Sequence, residues 1–127
     1  MLAKFVGDAC QNHDVELSRL IALGFSNGAN IAATLLQCHP TLLARAILLR
    51  AMVVLDEPAA PASLQGKRIF LANGSFDPIV PADHPGRLAA LLSAGGAEVS
   101  TLSVRPSHGL IREDLAAAQE FLHGTLR

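Results

Sequence analysis

A serine between two glycines is the feature of this sequence that most directly suggests chemistry. Gly24-Phe25-Ser26-Asn27-Gly28 has the pattern G-x-S-x-G and lies between a short apolar run and a segment with helical spacing. Glycines two residues either side of the serine favour a tight strand-to-helix turn, because larger side chains there would collide. Such a turn lifts the hydroxyl above a sheet, so Ser26 is a candidate nucleophile. The same residues also fit an ordinary turn in which Ser26 only caps the helix.

A serine nucleophile needs a neighbouring base that is itself oriented by a carboxylate. After a G-x-S-x-G turn these partners follow in the order Ser, then Asp or Glu, then His. Asp77 follows the third predicted strand, and His108 follows the fourth. We therefore predict a triad of Ser26, Asp77 and His108. The backbone N–H of Asn27, at the start of the next helix, is predicted to face the developing oxyanion.

Other polar residues near these positions have alternative interpretations. Asp56 and Glu57 follow the second predicted strand and are alternative acids, although a solvated turn is the favoured interpretation. His84 is either a structural residue or part of the rim of the site. Glu113 and Asp114 fall in the first turn of the last predicted helix, where the helix dipole favours negative charge.

Two aromatic residues and one arginine also stand close to the predicted site. Phe25 and Phe76 flank triad residues in the sequence. Packing in the core is the default interpretation for both, and forming a wall of a substrate-binding acyl pocket is the sharper alternative. Arg50 interrupts an apolar strand, and the sequence offers no explanation for it.

The elements that position these residues alternate between strand and helix signals. Apolar runs of strand length are separated by helical spacing, which favours one mostly parallel, four-stranded α/β sheet with helices on both faces. Residues 1–127 are predicted to form a single domain, with the site beyond the carboxyl ends of the strands. The predicted helices are 2–12, 28–38, 84–94 and 112–123, and the predicted strands are 20–23, one contained within 46–55, 68–72 and 99–104.

The composition narrows the class of protein. Half of the residues are hydrophobic, 17% are charged and the net charge is −1, which fits a doubly buried sheet or a surface that another element covers. Basic residues do not cluster and aromatic residues make up 4%, which argues against nucleic acid as a partner. No apolar run reaches the roughly 18 residues of a membrane span. Cys10 and Cys38 are interpreted as buried thiols in a reducing compartment, and a cytoplasmic protein is expected.

Three stretches of the sequence resemble a known family. GFSNGANIA, ANGSFDPIVP and SHGL are similar to motifs of the carboxylesterase/phospholipase family of α/β-hydrolases, which includes bacterial carboxylesterases and acyl-protein thioesterases. The resemblance runs from about residue 20 to residue 122. It implies hydrolysis of carboxylic esters or thioesters through an acyl-enzyme, with no metal and no organic cofactor. It assigns the nucleophile to Ser26, the acid to Asp77, the base to His108 and one oxyanion-hole N–H to Asn27.

The same resemblance implies a truncated α/β-hydrolase fold. The family's strands before the nucleophile strand, and its His-Gly loop that supplies a second oxyanion N–H, find no match in residues 1–19. The first strand would then be an edge strand, which invites pairing with another chain. We therefore expect a homo-oligomer, or a partner chain that covers this edge. The alternative to a hydrolase acting on a small acyl ester or thioester is an inactive fragment that serves as an interaction module.

Overall fold

The computed structural model describes residues 21–40, 43–75, 77–105 and 109–125. Strands and helices alternate along this part of the chain, as the sequence predicts, and most bounds agree to within two residues. The helix predicted over 2–12 lies outside the described residues. The elements are β1 (Ile21–Phe25), α1 (Asn27–Cys38), β2 (Arg45–Leu49), β3 (Arg68–Gly74), α2 (His84–Ser93), β4 (Glu98–Val104) and α3 (Arg112–Thr125).

The four strands form one sheet in the order β1-β2-β3-β4, and every neighbouring pair is parallel. Ile47 of β2 stands between Leu23 of β1 and Phe70 of β3 in the register. Because all strands point the same way, their carboxyl ends meet at one edge of the sheet. The predicted α/β class with a four-stranded parallel sheet is therefore confirmed.

Helices cover both faces of this sheet. Alternate residues of a strand point to opposite faces, and β2 and β3 are apolar on both sides. One face packs against α1 and α2, and the opposite face packs against α3, where the rings of Phe70 and Phe121 stack with centroids 5.6 Å apart. The buried strand residues on the first face are Ala46, Leu48, Ile69 and Leu71, and those on the second are Ile47, Leu49, Phe70 and Ala72.

The second strand, predicted to lie within residues 46–55, is confirmed and covers Arg45–Leu49. It ends there because Arg50 leaves the extended conformation with φ of 60°. The peptide N–H groups that follow find side-chain acceptors instead of a neighbouring strand. Met52 donates to Asn30 Oδ1 at 2.6 Å, and Val53 donates to Nδ1 of His84 at 3.1 Å. This hydrogen bond gives His84 a structural role, the first of the two interpretations that the sequence allowed.

Cys38 is exposed, so the expectation of a buried thiol is wrong for this residue. The buried side of α1 includes Ala29, Ala32, Ala33 and Leu36. Cys38 follows Leu36 by two residues, which turns it about 200° around the helix and away from the sheet. Cys10 lies outside the described residues. None of the helices in the described ranges has the length and apolar character needed to cross a bilayer.

Within the described residues, β1 lies at an edge of the sheet and has β2 as its one neighbour. Leu23 is 69% exposed and Phe25 42%, although both belong to a strand. They border an apolar groove of about 470 Å³ between β1 and α3. The apolar side chains that line this groove include Leu23, Phe25, Leu49, Leu110, Leu115 and Leu122.

Gly24 permits an unusually close approach of β1 to α1. A Cβ atom at this position would lie 2.6 Å from the backbone N of Ala29 and 2.6 Å from the carbonyl carbon of Gly28. Backbone atoms cannot rotate away as a flexible side chain can. The sequence also predicted that a larger side chain would collide at Gly28. A Cβ at that position would meet no described atom within 4 Å. The steric need for glycine is therefore seen on the strand side of the serine and not on the helix side.

We predict that Gly24→Ala destabilises the protein by about 1–3 kcal/mol or more, because the new methyl group overpacks a backbone contact. The matched control is Gly28→Ala, which adds the same atom to open space in a helix and should be neutral or stabilising by up to about 1 kcal/mol. Urea unfolding followed by circular dichroism measures both. Equal unfolding midpoints for the two variants would contradict the close approach.

Candidate active site

Ser26 occupies a strained turn at the carboxyl end of β1. Its backbone has φ of 56° and ψ of −113°, a conformation that costs a non-glycine residue about 1–3 kcal/mol. Two hydrogen bonds hold it there: its N–H donates to Leu49 O at 2.8 Å, and its carbonyl accepts from Asn30 N at 2.9 Å. The Ser26 side chain makes no capping hydrogen bond to α1. The interpretation of Ser26 as an ordinary helix cap is therefore not supported.

The amino end of α1 begins directly beside this serine. Asn27 is the first residue of α1, so its N–H has no acceptor within the helix. The partial positive charge of a helix amino terminus favours a negative group at this place. Both features suit an oxyanion next to Ser26, which remains a prediction for Asn27.

Asp77 lies three residues beyond the end of β3 and is half-buried. Its Oδ1 accepts hydrogen bonds from Ile79 N at 2.7 Å and from Val80 N at 3.1 Å. These two backbone N–H groups fix the orientation of the carboxylate relative to its own turn. A carboxylate held in this way is suited to orienting a base.

Asp56, one of the two alternative acids, forms an ion pair with a residue outside the proposed triad. Asp56 is an exposed residue whose Oδ2 lies 2.7 Å from Nη2 of Arg87. The hydrogen bond and charge of this carboxylate raise the pKa of the Arg87 guanidinium. Glu57, the residue after it, is also exposed. Both match the solvated turn that the sequence favoured for this segment.

The predicted base, His108, lies outside the described residues, as does Phe76. The residue after the base is described, and it is fastened to the sheet: Arg50 Nη2 donates to Gly109 O at 3.0 Å. Arg50 directly follows β2 and also donates to Ala72 O of β3, so Gly109 lies at the carboxyl ends of these two central strands.

A buried ion pair that the sequence did not reveal anchors Gly109. Arg50 and Asp114 are both fully buried and form a bidentate pair, with Nη1–Oδ1 at 2.9 Å and Nη2–Oδ2 at 2.7 Å. Arg50 Nη1 also donates to Ala72 O at 3.2 Å, and Asp114 Oδ2 accepts from Ile111 N at 2.9 Å. The signal in the sequence was a lone arginine in an apolar run together with an acidic residue near a helix start. The helix dipole alone was an incomplete explanation for Asp114.

Phe25 does not pack in the core among the described residues. Its side chain is partly exposed and borders the apolar groove beside α3. The core interpretation of Phe25 is therefore not supported. In the part of the chain that the structure describes, no three His, Cys, Asp or Glu side chains cluster in a way that would hold a metal ion.

Known proteins are similar to this chain in sequence and in fold. A profile of the family described as phospholipase/carboxylesterase matches residues 1–126. The carboxylesterase of Bacillus cereus superimposes with a TM-score of 0.89 at 32% identity, over 94% of this chain and 56% of its own. A carboxylesterase from Mesorhizobium loti gives 0.87 at 35% identity, over 97% of this chain and 58% of its own.

Sequence comparison also identifies a hydrolase as a relative of this chain. "Putative hydrolase MhqD" of Bacillus subtilis (strain 168) is 32% identical over 120 residues, which is 94% of this chain and 60% of that protein. The chain thus spans less than two thirds of the length of the relatives that it matches. Because the family profile covers almost all of it, the chain belongs to the phospholipase/carboxylesterase family of α/β-hydrolases.

Proposed function

We propose that the protein is a serine hydrolase that cleaves carboxylic esters or thioesters through an acyl-enzyme intermediate. The observation that carries the proposal is the positive-φ turn at Ser26 between β1 and α1, packed closely through Gly24. Strain of this kind persists where the surrounding structure enforces it, and it is concentrated at functional sites. Two of the relatives reported above are named carboxylesterases, which supports an ester as the substrate class.

In the proposed mechanism, Ser26 Oγ attacks the carbonyl carbon of the substrate while His108 accepts the hydroxyl proton. The oxyanion of the tetrahedral intermediate is stabilised by the N–H of Asn27 and the amino end of α1. When the intermediate collapses, His108 returns the proton to the leaving alcohol or thiol and the acyl group stays on Ser26. Water then attacks the acyl carbon while the same imidazole accepts its proton. The imidazole returns this proton to Ser26 Oγ as the bond to the acyl group breaks and the carboxylic acid leaves.

Asp77 orients the imidazole in this scheme. Two backbone N–H groups already hold its Oδ1, so the carboxylate is prepared to accept the imidazole N–H through Oδ2. The position of Gly109 supports His108 as the base. This glycine immediately follows His108, and Arg50 holds it at the carboxyl ends of β2 and β3, the same edge of the sheet at which Ser26 and Asp77 lie.

The substrate would enter beside Phe25, which precedes the nucleophile and borders the apolar groove. We propose Phe25, and with it Phe76, as contacts of the acyl group.

We predict that the protein hydrolyses p-nitrophenyl acetate and that Ser26→Ala abolishes this activity. Asp77→Asn should lower kcat by several orders of magnitude, up to about 10⁴-fold, because the imidazole loses the partner that selects its tautomer. The matched control is Asp56→Asn, which removes an exposed carboxylate with no role in the proposed triad and should leave kcat unchanged.

The rate of p-nitrophenolate release decides between an active hydrolase and an inactive interaction module. Urea unfolding of each variant shows whether that variant is folded. Turnover that persists in Asp77→Asn would remove Asp77 from the triad. A folded wild-type protein with no Ser26-dependent turnover would favour the inactive interaction module.

We further propose that the 127-residue chain associates with a second copy through β1. The outer edge of β1 has no strand beside it among the described residues, and Leu23 of this strand is largely exposed on the sheet face towards α3. Parallel sheets are normally buried, and an open apolar edge strand promotes pairing between chains. A two-fold axis beside β1 would let the two copies pair with each other and close both edges.

We predict a dimer in sedimentation velocity at micromolar concentration. Leu23→Lys should shift the chain towards monomer, because it places a charge in the interface. Lys67→Gln should not alter the association, because Lys67 directly precedes β3, which β2 separates from β1. A wild-type chain that stays monomeric over the whole accessible concentration range would contradict the proposal.

A further inference from the structure

We propose that Arg50 is a positioning residue for catalysis: its guanidinium fixes the segment that follows His108, and the buried Asp114 holds the guanidinium in place. This inference rests on the proposed serine hydrolase function. It assigns a role to a pair of residues that makes no direct contribution to the chemical steps described above.

The pair is poorly explained by stability alone. Arg50 and Asp114 are 0% exposed. The desolvation of two buried charges commonly cancels their attraction, so replacing such a pair by apolar residues is often neutral or stabilising. Arg50 also adopts an unfavourable backbone conformation, with φ of 60°. A costly arrangement in a strained residue, at the carboxyl end of a strand, points to a functional constraint.

The contacts of the pair show what it constrains. The guanidinium donates at the same time to Asp114, to Ala72 O at the end of β3 and to Gly109 O after β4. The carboxylate accepts from Ile111 N, just before α3 begins. The backbone N–H of Arg50 also donates to Ala72 O, at 2.8 Å. One buried pair therefore joins the ends of β2 and β3 to both Gly109 and Ile111.

This anchoring acts on the residue next to the base. A base must lie within hydrogen-bond reach of the hydroxyl, about 2.6–3.2 Å between heavy atoms. A displacement of about 1 Å can lower the rate by about 10²-fold. Since Gly109 is covalently joined to His108, freeing its carbonyl would widen the positions open to the imidazole without removing any reacting group.

A second ion pair in the same sheet provides a matched control. Arg68 and Glu98 begin β3 and β4, at the opposite end of the sheet from the proposed site, with Nε–Oε2 at 3.2 Å. Their side chains are 45% and 70% exposed. This pair also joins an arginine to a carboxylate, but it is exposed and its described hydrogen bonds do not reach the segment after β4.

The experiment compares Arg50→Lys and the double variant Arg50→Met/Asp114→Leu with Arg68→Met/Glu98→Leu. Lysine keeps the charge but lacks the planar fork that serves several acceptors at once. The double variant leaves no unpaired buried charge and should therefore fold. For each protein, kcat and KM are measured with p-nitrophenyl acetate, and the ¹⁵N order parameter of the Gly109 amide is measured by NMR.

We expect both Arg50 variants to lower kcat by about 10–100-fold with KM within about threefold of wild type. The Gly109 order parameter should fall from about 0.85 to below about 0.6, while amides of β2 and β3 keep their values. The control variant should match wild type in all three quantities. A merely structural role would lower order throughout the sheet and reduce the active fraction, leaving Gly109 no more affected than β2.

Wild-type kcat in a folded Arg50 variant would overturn the proposal, and so would an unchanged Gly109 order parameter or a Gly109 that is already mobile in wild type. A wild-type protein with no Ser26-dependent turnover would instead refute the proposed function. In that event the order parameter of Gly109 still decides whether the buried pair positions this segment.

Discussion

The buried pair of Arg50 and Asp114 is the interaction on which the carboxyl edge of the sheet depends. It ties the ends of two central strands to the segment between β4 and α3, and it satisfies backbone groups that lie outside regular structure. Removing one member of a buried pair typically costs about 3–5 kcal/mol, because the other charge is left without a partner. A loss of that size is a large fraction of the stability of a small domain.

Strain is concentrated at the same edge. Ser26 and Arg50 are the residues directly after β1 and β2, and both have positive φ. In each case the backbone N–H still donates to the neighbouring strand, from Ser26 to Leu49 O and from Arg50 to Ala72 O. Ser26 and Arg50 therefore each extend the hydrogen bonding of the sheet by one residue beyond β1 and β2, and the chain turns sharply at both residues. The favourable folding free energy of the parallel sheet offsets the energetic cost of these two strained turns.

Much of this architecture could be predicted from the sequence, because the periodic signals are local. The alternation of apolar strands with helices such as α1 and α2 placed the elements, and the G-x-S-x-G pattern placed the turn at Ser26 correctly between strand and helix. The features that the sequence did not reveal involve a long-range partner or a helix face. Arg50 had no explanation in the sequence because its partner Asp114 is 64 residues away, and Cys38 is exposed because of its angle on α1. The triad role of His108 stays a prediction.

Covalent labelling tests most directly whether Ser26 is an activated nucleophile. The protein is incubated with a fluorophosphonate, and the intact mass and the labelled peptide are then measured by mass spectrometry. The account predicts one phosphonyl group per chain, carried on Ser26, and no adduct in Ser26→Ala. Folded wild-type protein that stays unlabelled at high probe concentration, or a label on another serine, would contradict it.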